Sequence, residues 1–212
     1  MDENIKWHNL VVLNETAKEL EKNGFTTTVV KNIEEAKAKI FELIDLKDLV
    51  GMGGSITLDE LGIEESLKKR GQKILRSAPG MSPEEGREIR RKALLSDVYM
   101  ASPNAVTKDG TLLLCDGVGN RVAAMIYGPK KVIAIAGINK IVSSEAGGWA
   151  RIDEVAAPAN AKRLNTNNPC TISGTCSDCN SASRICNIGV VLWKKPKYTE
   201  YHIILVPENL GY

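Results

Sequence analysis

The chain has 212 residues, 43% of them apolar and 25% charged, a composition of globular proteins that bury a core without disulfide or metal support. Its 28 Lys and Arg stand against 26 Asp and Glu, and aromatics make up 5%, so neither a basic footprint nor base-stacking platforms argue for nucleic acid. The start, Met1-Asp2-Glu3-Asn4, lacks the basic and apolar regions of a signal peptide, and no apolar run nears the ~20 residues that span a bilayer.

These features predict a cytoplasmic protein with no membrane segment, read as a single domain over residues 1–212. In that compartment the five cysteines are expected as ligands, redox groups or core residues, not as a disulfide scaffold.

The first helix is predicted over residues 3–22, with Leu10, Leu13, Ala17 and Leu20 on one face and Gly24 as its stop. The β-branched run at 25–30 reads as a strand. Asn32 caps a second helix whose apolar face carries Ala36, Ile40, Phe41 and Ile44. A short strand at 48–50 enters Gly51-Met52-Gly53-Gly54-Ser55, and one helix is expected over 57–69. Residues 73–75 form a strand candidate. Ser82, Pro83 and Glu85 then open a helix to about residue 95.

Beyond this point the pattern shortens. Strands are predicted at 97–101, 105–107 and 111–115, a helix at 120–127, a buried strand at 132–136 and another strand at 141–142. One helix is expected over 144–164, weakened by Gly147 and Gly148. Segments 188–193 and 201–206 read as closing strands. Strands alternating with helices imply an α/β fold, a mainly parallel sheet flanked by helices.

The glycine loop lies between a strand and a helix, where open α/β sheets bind ligands. Glycines let an anion approach the unpaired N–H groups of a helix start, and Ser55 either caps the helix or donates to a phosphate or carboxylate. The loop is neither a P-loop nor a dinucleotide fingerprint, and a tight turn with a Ser cap explains it equally well.

Asn104, Asp109, Asn120, Arg121, Asn139 and Lys140 occupy predicted turn positions. Asp109-Gly110 reads first as a β-turn, and Asn120 as an N-cap. Arg121 opposes the helix dipole, so it calls for an anionic partner, either an internal carboxylate or a ligand.

Residues 51–62 (GMGGSITLDELG), 102–111 (SPNAVTKDGT), 117–123 (GVGNRVA), 128–133 (GPKKVI), 137–142 (GINKIV) and 157–161 (APANA) together resemble the lactate-utilization (LUD) domain family. The resemblance implies the fold of sugar-phosphate isomerases, CoA transferases and formyltetrahydrofolate cyclo-ligases. It also implies lactate or organic-acid metabolism and, for some members, an iron–sulfur protein partner. Carried over residue by residue, the pocket would involve Gly51, Gly53, Gly54, Ser55, Asn104, Asp109, Gly110, Asn120 and Arg121. The relation to CoA transferases prompts a search for a catalytic Glu, but no glutamate sits in a recognisable motif.

Cys170, Cys176, Cys179 and Cys186 fall within 17 residues at C-x5-C-x2-C-x6-C spacing in a segment expected to be irregular. Four thiolates suit a [4Fe–4S] cluster or Zn²⁺, although the spacing matches neither a zinc ribbon nor a ferredoxin. Reduced thiols packed in a loop, or disulfides formed on oxidation, are the alternatives. Cys115, after three leucines, is expected in the core. His8 and His202 belong to no triad or ligand pair.

Two readings follow. One is a protein, enzymatic or not, that holds an anionic small molecule between the glycine loop and Arg121. The other is a non-enzymatic redox or assembly subunit built on the four cysteines. A metal-stabilised scaffold with no small-molecule site is a weaker third. A further copy of the chain is an expected partner; nucleic acid and membrane are not.

Overall fold

The structure, a computed structural model, describes residues 2–212. Helix α1 (Glu3–Lys22) begins where the Asp2 carboxylate accepts from the Asn4 and Ile5 amides, and it buries Leu13, Ala17 and Leu20. Strand β1 (Thr26–Val29), α2 (Ile33–Leu43) and β2 (Leu49–Met52) follow. The helix expected over 57–69 is two, α3 (Ile56–Glu60) and α4 (Ile63–Lys69). They part at Gly62, whose φ of 60° is left-handed and ends the helical run. Next come β3 (Lys73–Leu75) and α5 (Pro83–Ala93), the latter opened by a complete capping box between Ser82 and Glu85.

The second half holds β4 (Val98–Ala101), β5 (Ala105–Thr107), β6 (Leu112–Asp116), α6 (Asn120–Ile126), β7 (Lys131–Gly137) and β8 (Ile141–Val142). The helix expected over 144–164 runs unbroken over 145–163, as α7 (Glu145–Arg151), a π-helical turn at Ile152–Ala156 and α8 (Ala157–Arg163). Pro158 lacks the N–H that would continue the ladder, and the Ala157 amide reaches back to the Ile152 carbonyl instead. Gly148 does not break α7. It lets the helix lie on Leu113, whose side chain would stand 2.7 Å from a Cβ there. A short α9 (Cys170–Ser173) precedes β9 (Ile188–Leu192) and β10 (Glu200–Val206).

Six strands form one wholly parallel sheet in the order β1-β10-β7-β4-β2-β3. Strands β8-β5-β6-β9 form a second, mixed sheet. The two closing strands expected near the C-terminus therefore belong to different sheets.

Alternation of side chains along the strands builds two cores. Tyr99 and Ala101, Val132 and Ala134, Tyr201 and Ile203 face α1, α6 and the small sheet. Val98 and Met100, Ile133 and Ile135, Ile204 and Val206 face α2, α3 and α4. A third cluster seats Ile152 and Ala157 on the outer side of the small sheet, against Ala105 and Leu113. Every apolar face of the large sheet is thus covered, as a parallel sheet requires. Among the described residues no helix is long and apolar enough to cross a membrane.

Candidate functional site

Strands β7, β4 and β2 are neighbours, and the segments leaving their C-terminal ends frame a cavity of about 220 Å³. Gly54, Ser55 and Thr57 come from β2 and α3, Ser102 and Asn104 from the end of β4, and Lys140 from the turn after β7. The small sheet and α6 add Cys115, Asp116, Asn120 and Arg121. Helix α8 adds Asn160 and Arg163, and Ile185 and Tyr212 close the sides.

Arg121 is pinned by neutral oxygens. Nη1 donates to the Ser102 carbonyl at 2.7 Å, and Nη2 donates to Asn104 Oδ1 at 2.7 Å and to the Cys115 carbonyl. Asn104 Oδ1 also accepts from the Cys115 amide at 2.8 Å, so the amide side chain ties β6 to the cation. Arg121 forms no ion pair among the described residues. The internal carboxylate that a first-turn arginine called for is not on its guanidinium. Asp116 instead caps α6, accepting from the Arg121 amide at 3.0 Å and the Val122 amide at 3.2 Å.

The N-cap residue of α6 is Gly119, at φ 93°, and not Asn120, the expected cap. The chain must turn sharply there to aim the Arg121 side chain inward, and only glycine adopts that conformation without strain. Asn120 hydrogen-bonds the Tyr99 hydroxyl, and burial pushes that phenol up to about 12.

Lys140 is 2% exposed and stands at the cavity floor. Its Nζ donates to Ser102 Oγ at 2.8 Å, Thr57 Oγ1 at 2.9 Å and the Pro103 carbonyl at 3.4 Å. Burial, then the Arg151 and Arg121 cations, bring its amine down to about 7, with Glu60 opposing. Arg151 is itself held by carbonyls, donating to Asn139 at 2.7 Å and Asn104 at 2.6 Å.

The expected site residues divide into two groups. Gly54, Ser55, Asn104, Asn120 and Arg121 line the cavity, whereas Gly51, Gly53, Asp109 and Gly110 do not. Gly51 and Gly53 act through packing. A Cβ on Gly51 would meet Ser96, Tyr99 and Ala93 at 2.7 to 2.9 Å, and one on Gly53 would meet the Tyr99 hydroxyl at 3.0 Å and the Arg121 stem at 3.4 Å. Asp109 and Gly110 form the β-turn that their sequence suggests and dock on α1, where the Asn23 side chain donates to both carbonyls. A Cβ on Gly110 would stand 2.6 Å from the backbone of Glu19. Ser55 caps α3 by accepting from the Leu58 amide at 3.4 Å.

Thr57, Ser102, Lys140 and Arg163 complete the site; the first three lie inside the family-like segments 51–62, 102–111 and 137–142, and Arg163 lies outside them. Lys140 was visible as a polar residue at a predicted turn after the buried strand.

Residues 13–206 match the family model of the LUD domain. The chain belongs to the LUD domain family. A DUF162 family protein from Deinococcus radiodurans shares the fold of this LUD protein at a TM-score of 0.55 and 15% identity, over 94% of this chain and 98% of that one. The delta subunit of eIF2B from Chaetomium thermophilum matches at a TM-score of 0.38 and 16% identity, over 54% of this chain and 50% of that one, too distant to bear on the site. No curated protein sequence matches significantly.

The LUD domain's four C-terminal cysteines are free and half-buried. Burial pushes the Cys170 and Cys186 thiols up, and each also senses Cys176 and Cys179. The donor set has the right chemistry for a soft or borderline metal. As placed, however, no three Cys, His, Asp or Glu side chains among the described residues form a group that could hold an ion. No chemical step is assigned to a metal here. Cys115 lies half-buried at the cavity wall instead of fully in the core, and burial raises its thiol to about 11.

Proposed function

We propose that this LUD domain holds an anionic small molecule in the cavity beneath the glycine loop, in lactate or other organic-acid metabolism. One observation carries the reading. Arg121, Lys140 and Arg163 line the same cavity and none has a carboxylate ion-pair partner among the described residues. Asp116, the carboxylate in the lining, spends its oxygens on the amides of Gly117, Arg121 and Val122. Lys140 is buried and Arg121 half-buried, and cations held out of water without counter-charges are costly, so an incoming anion supplies the missing charge. The cavity volume suits a small carboxylate or phosphate group with a short tail. The family's association with lactate utilization points the same way.

Calorimetry with lactate, 2-oxo acids, inorganic phosphate, CoA esters and folates tests this. The expected result is saturable binding by an anion, weakened in Arg163→Ala, an exposed residue whose removal leaves the core intact. No binding by any of these classes would discard the reading.

The second reading places a metal at Cys170, Cys176, Cys179 and Cys186. The observation in its favour is that four free, half-buried thiols fall within one 17-residue segment. An ion would have to draw the side chains together, which couples binding to ordering of the loop. Metal analysis and visible absorption after anaerobic purification test it, and a colourless, metal-free chain with titratable thiols is the contrary outcome.

A further inference from the structure

Ser102 and Lys140 meet in a buried, cavity-lining position where no carboxylate bonds the amine. They approach to 2.8 Å, and a third group, Thr57 Oγ1, holds the same ammonium at 2.9 Å. All three residues are almost fully buried, yet all three line the cavity. The placement follows from the sheet. Strands β4 and β7 pair in parallel with Ala101 opposite Ala134, so the segments just past their C-terminal ends face one another where such sheets bind ligands. Arg121 Nη1 holds the Ser102 carbonyl at 2.7 Å, which fixes the backbone beneath the hydroxyl.

A nucleophile, a base within hydrogen-bond reach and a third group that orients the base make up the arrangement of covalent acyl transfer. We propose that Ser102 and Lys140 are a nucleophile–base pair for acyl transfer on an anionic ester or thioester, with Thr57 as the residue that positions the amine. This rests on the anion-binding reading of the same cavity, with the charged end of the substrate held at Arg163.

The step balances within the site. Ser102 Oγ forms a bond to the acyl carbon, and its proton passes to the Lys140 amine. The carbon–oxygen or carbon–sulfur bond to the leaving group breaks, and that group takes the proton from the Lys140 ammonium. Water, activated by the same amine, releases the acid and restores the serine. Arg121 places positive charge beside the developing oxyanion.

The base must be unprotonated for the first step. Arg121 on α6 and Arg151 on α7 face the amine and oppose its charge, Glu60 on α3 favours it, and burial brings the balance to about 7. Cys115 is the other nucleophilic side chain in the wall, but burial keeps its thiol protonated up to about 11.

The test uses the whole chain with two activated esters, 4-nitrophenyl hydrogen succinate and neutral 4-nitrophenyl acetate. Release of nitrophenolate is followed from pH 5.5 to 9 (about two units either side of the amine's midpoint), and the acylated peptide is located by mass spectrometry. The expected result is acyl transfer to Ser102 that rises with pH through a midpoint near the amine's. Lys140→Met lowers the rate by about 10²-fold. Thr57→Val shifts the midpoint of the pH profile and Thr57→Ser restores it, an outcome that a merely structural hydroxyl would not give. Acylation confined to residues other than Ser102, or none in the wild-type chain, overturns the pair whatever the variants do. If the acetate and the succinate label Ser102 equally and Arg163→Ala changes neither, the pair stands and the anion-binding reading falls.

Discussion

Two regions of this LUD domain gather chemically reactive side chains, and they are built in opposite ways. The cavity fixes its cations before any ligand arrives. Arg121 is held by two oxygens from the loop after β4 and one from β6, and Lys140 by oxygens from α3 and the end of β4. The cysteine segment holds its thiols through backbone turns. The Cys176 amide donates to the Asp153 carbonyl, and Arg184 donates to the carbonyls of Cys179 and Cys186, while no three of the thiols form a group that could hold an ion. Preorganised charge costs folding energy and binds without rearrangement, whereas a loop of loosely placed ligands is ordered by what it binds. Truncations in the cavity should therefore disturb stability and binding together, and those in the cysteine segment should leave the core untouched.

Arg121→Ala should have the largest effect. It takes the guanidinium donor from the part-buried Ser102 and Cys115 carbonyls and removes a site cation, so we expect a loss of roughly 2 kcal/mol or more in urea unfolding and no detectable anion binding by calorimetry. Gly51→Ala should follow at roughly 2 kcal/mol, because its Cβ meets the Ala93 carbonyl at 2.9 Å. Gly54→Ala, with nothing within 4 Å of its Cβ, should be nearly neutral in the same assay. Equal losses at the two positions would break the view that the loop is set by packing at one end and open to the cavity at the other.

The pH dependence sharpens the comparison. Lys140 is lowered to about 7 when folded, so between there and its unfolded value of 10.5 the unfolded chain binds more protons. Wild-type stability relative to Lys140→Met should therefore rise with pH, by at most ~1.4 kcal/mol per pH unit, above about neutrality. Below that the difference should be flat. Paired urea titrations at several pH values measure it, and a flat difference throughout would mean that the amine keeps its proton.

Smaller effects separate surface from site. Arg163→Ala should weaken anion binding about tenfold in calorimetry while changing stability by no more than about 0.5 kcal/mol. A Cys176→Ser, Cys179→Ser double variant should unfold within about 1 kcal/mol of wild type in metal-free buffer. If it lost far more, the cysteine loop would be as firmly built as the cavity.

Much of the fold was legible because its signals are local. Ser82, Pro83 and Glu85 gave α5 its start, and alternating apolar residues gave β4, β7 and β10 their two buried faces. The helix at 144–164 was legible as well, and only the π-helical turn before Pro158 within it was not. The site was legible in part. Arg121 stood out as a charge against a helix dipole, and Asn104 came from the family resemblance. Asp109-Gly110 came with that resemblance too, but its turn serves docking on α1.

Apart from the segments that carry the resemblance to the LUD family, the sequence by itself determined most helices and strands and the glycine loop at a strand end. Those features follow from periodicity, capping and turn residues within a few positions of one another. Only the tertiary structure decided which loops meet. Lys140 touches Thr57 across 83 positions and Ser102 across 38. The strand order β7-β4-β2 runs against chain order, so no local pattern could report that a lysine after one strand would be buried beside hydroxyls following two others.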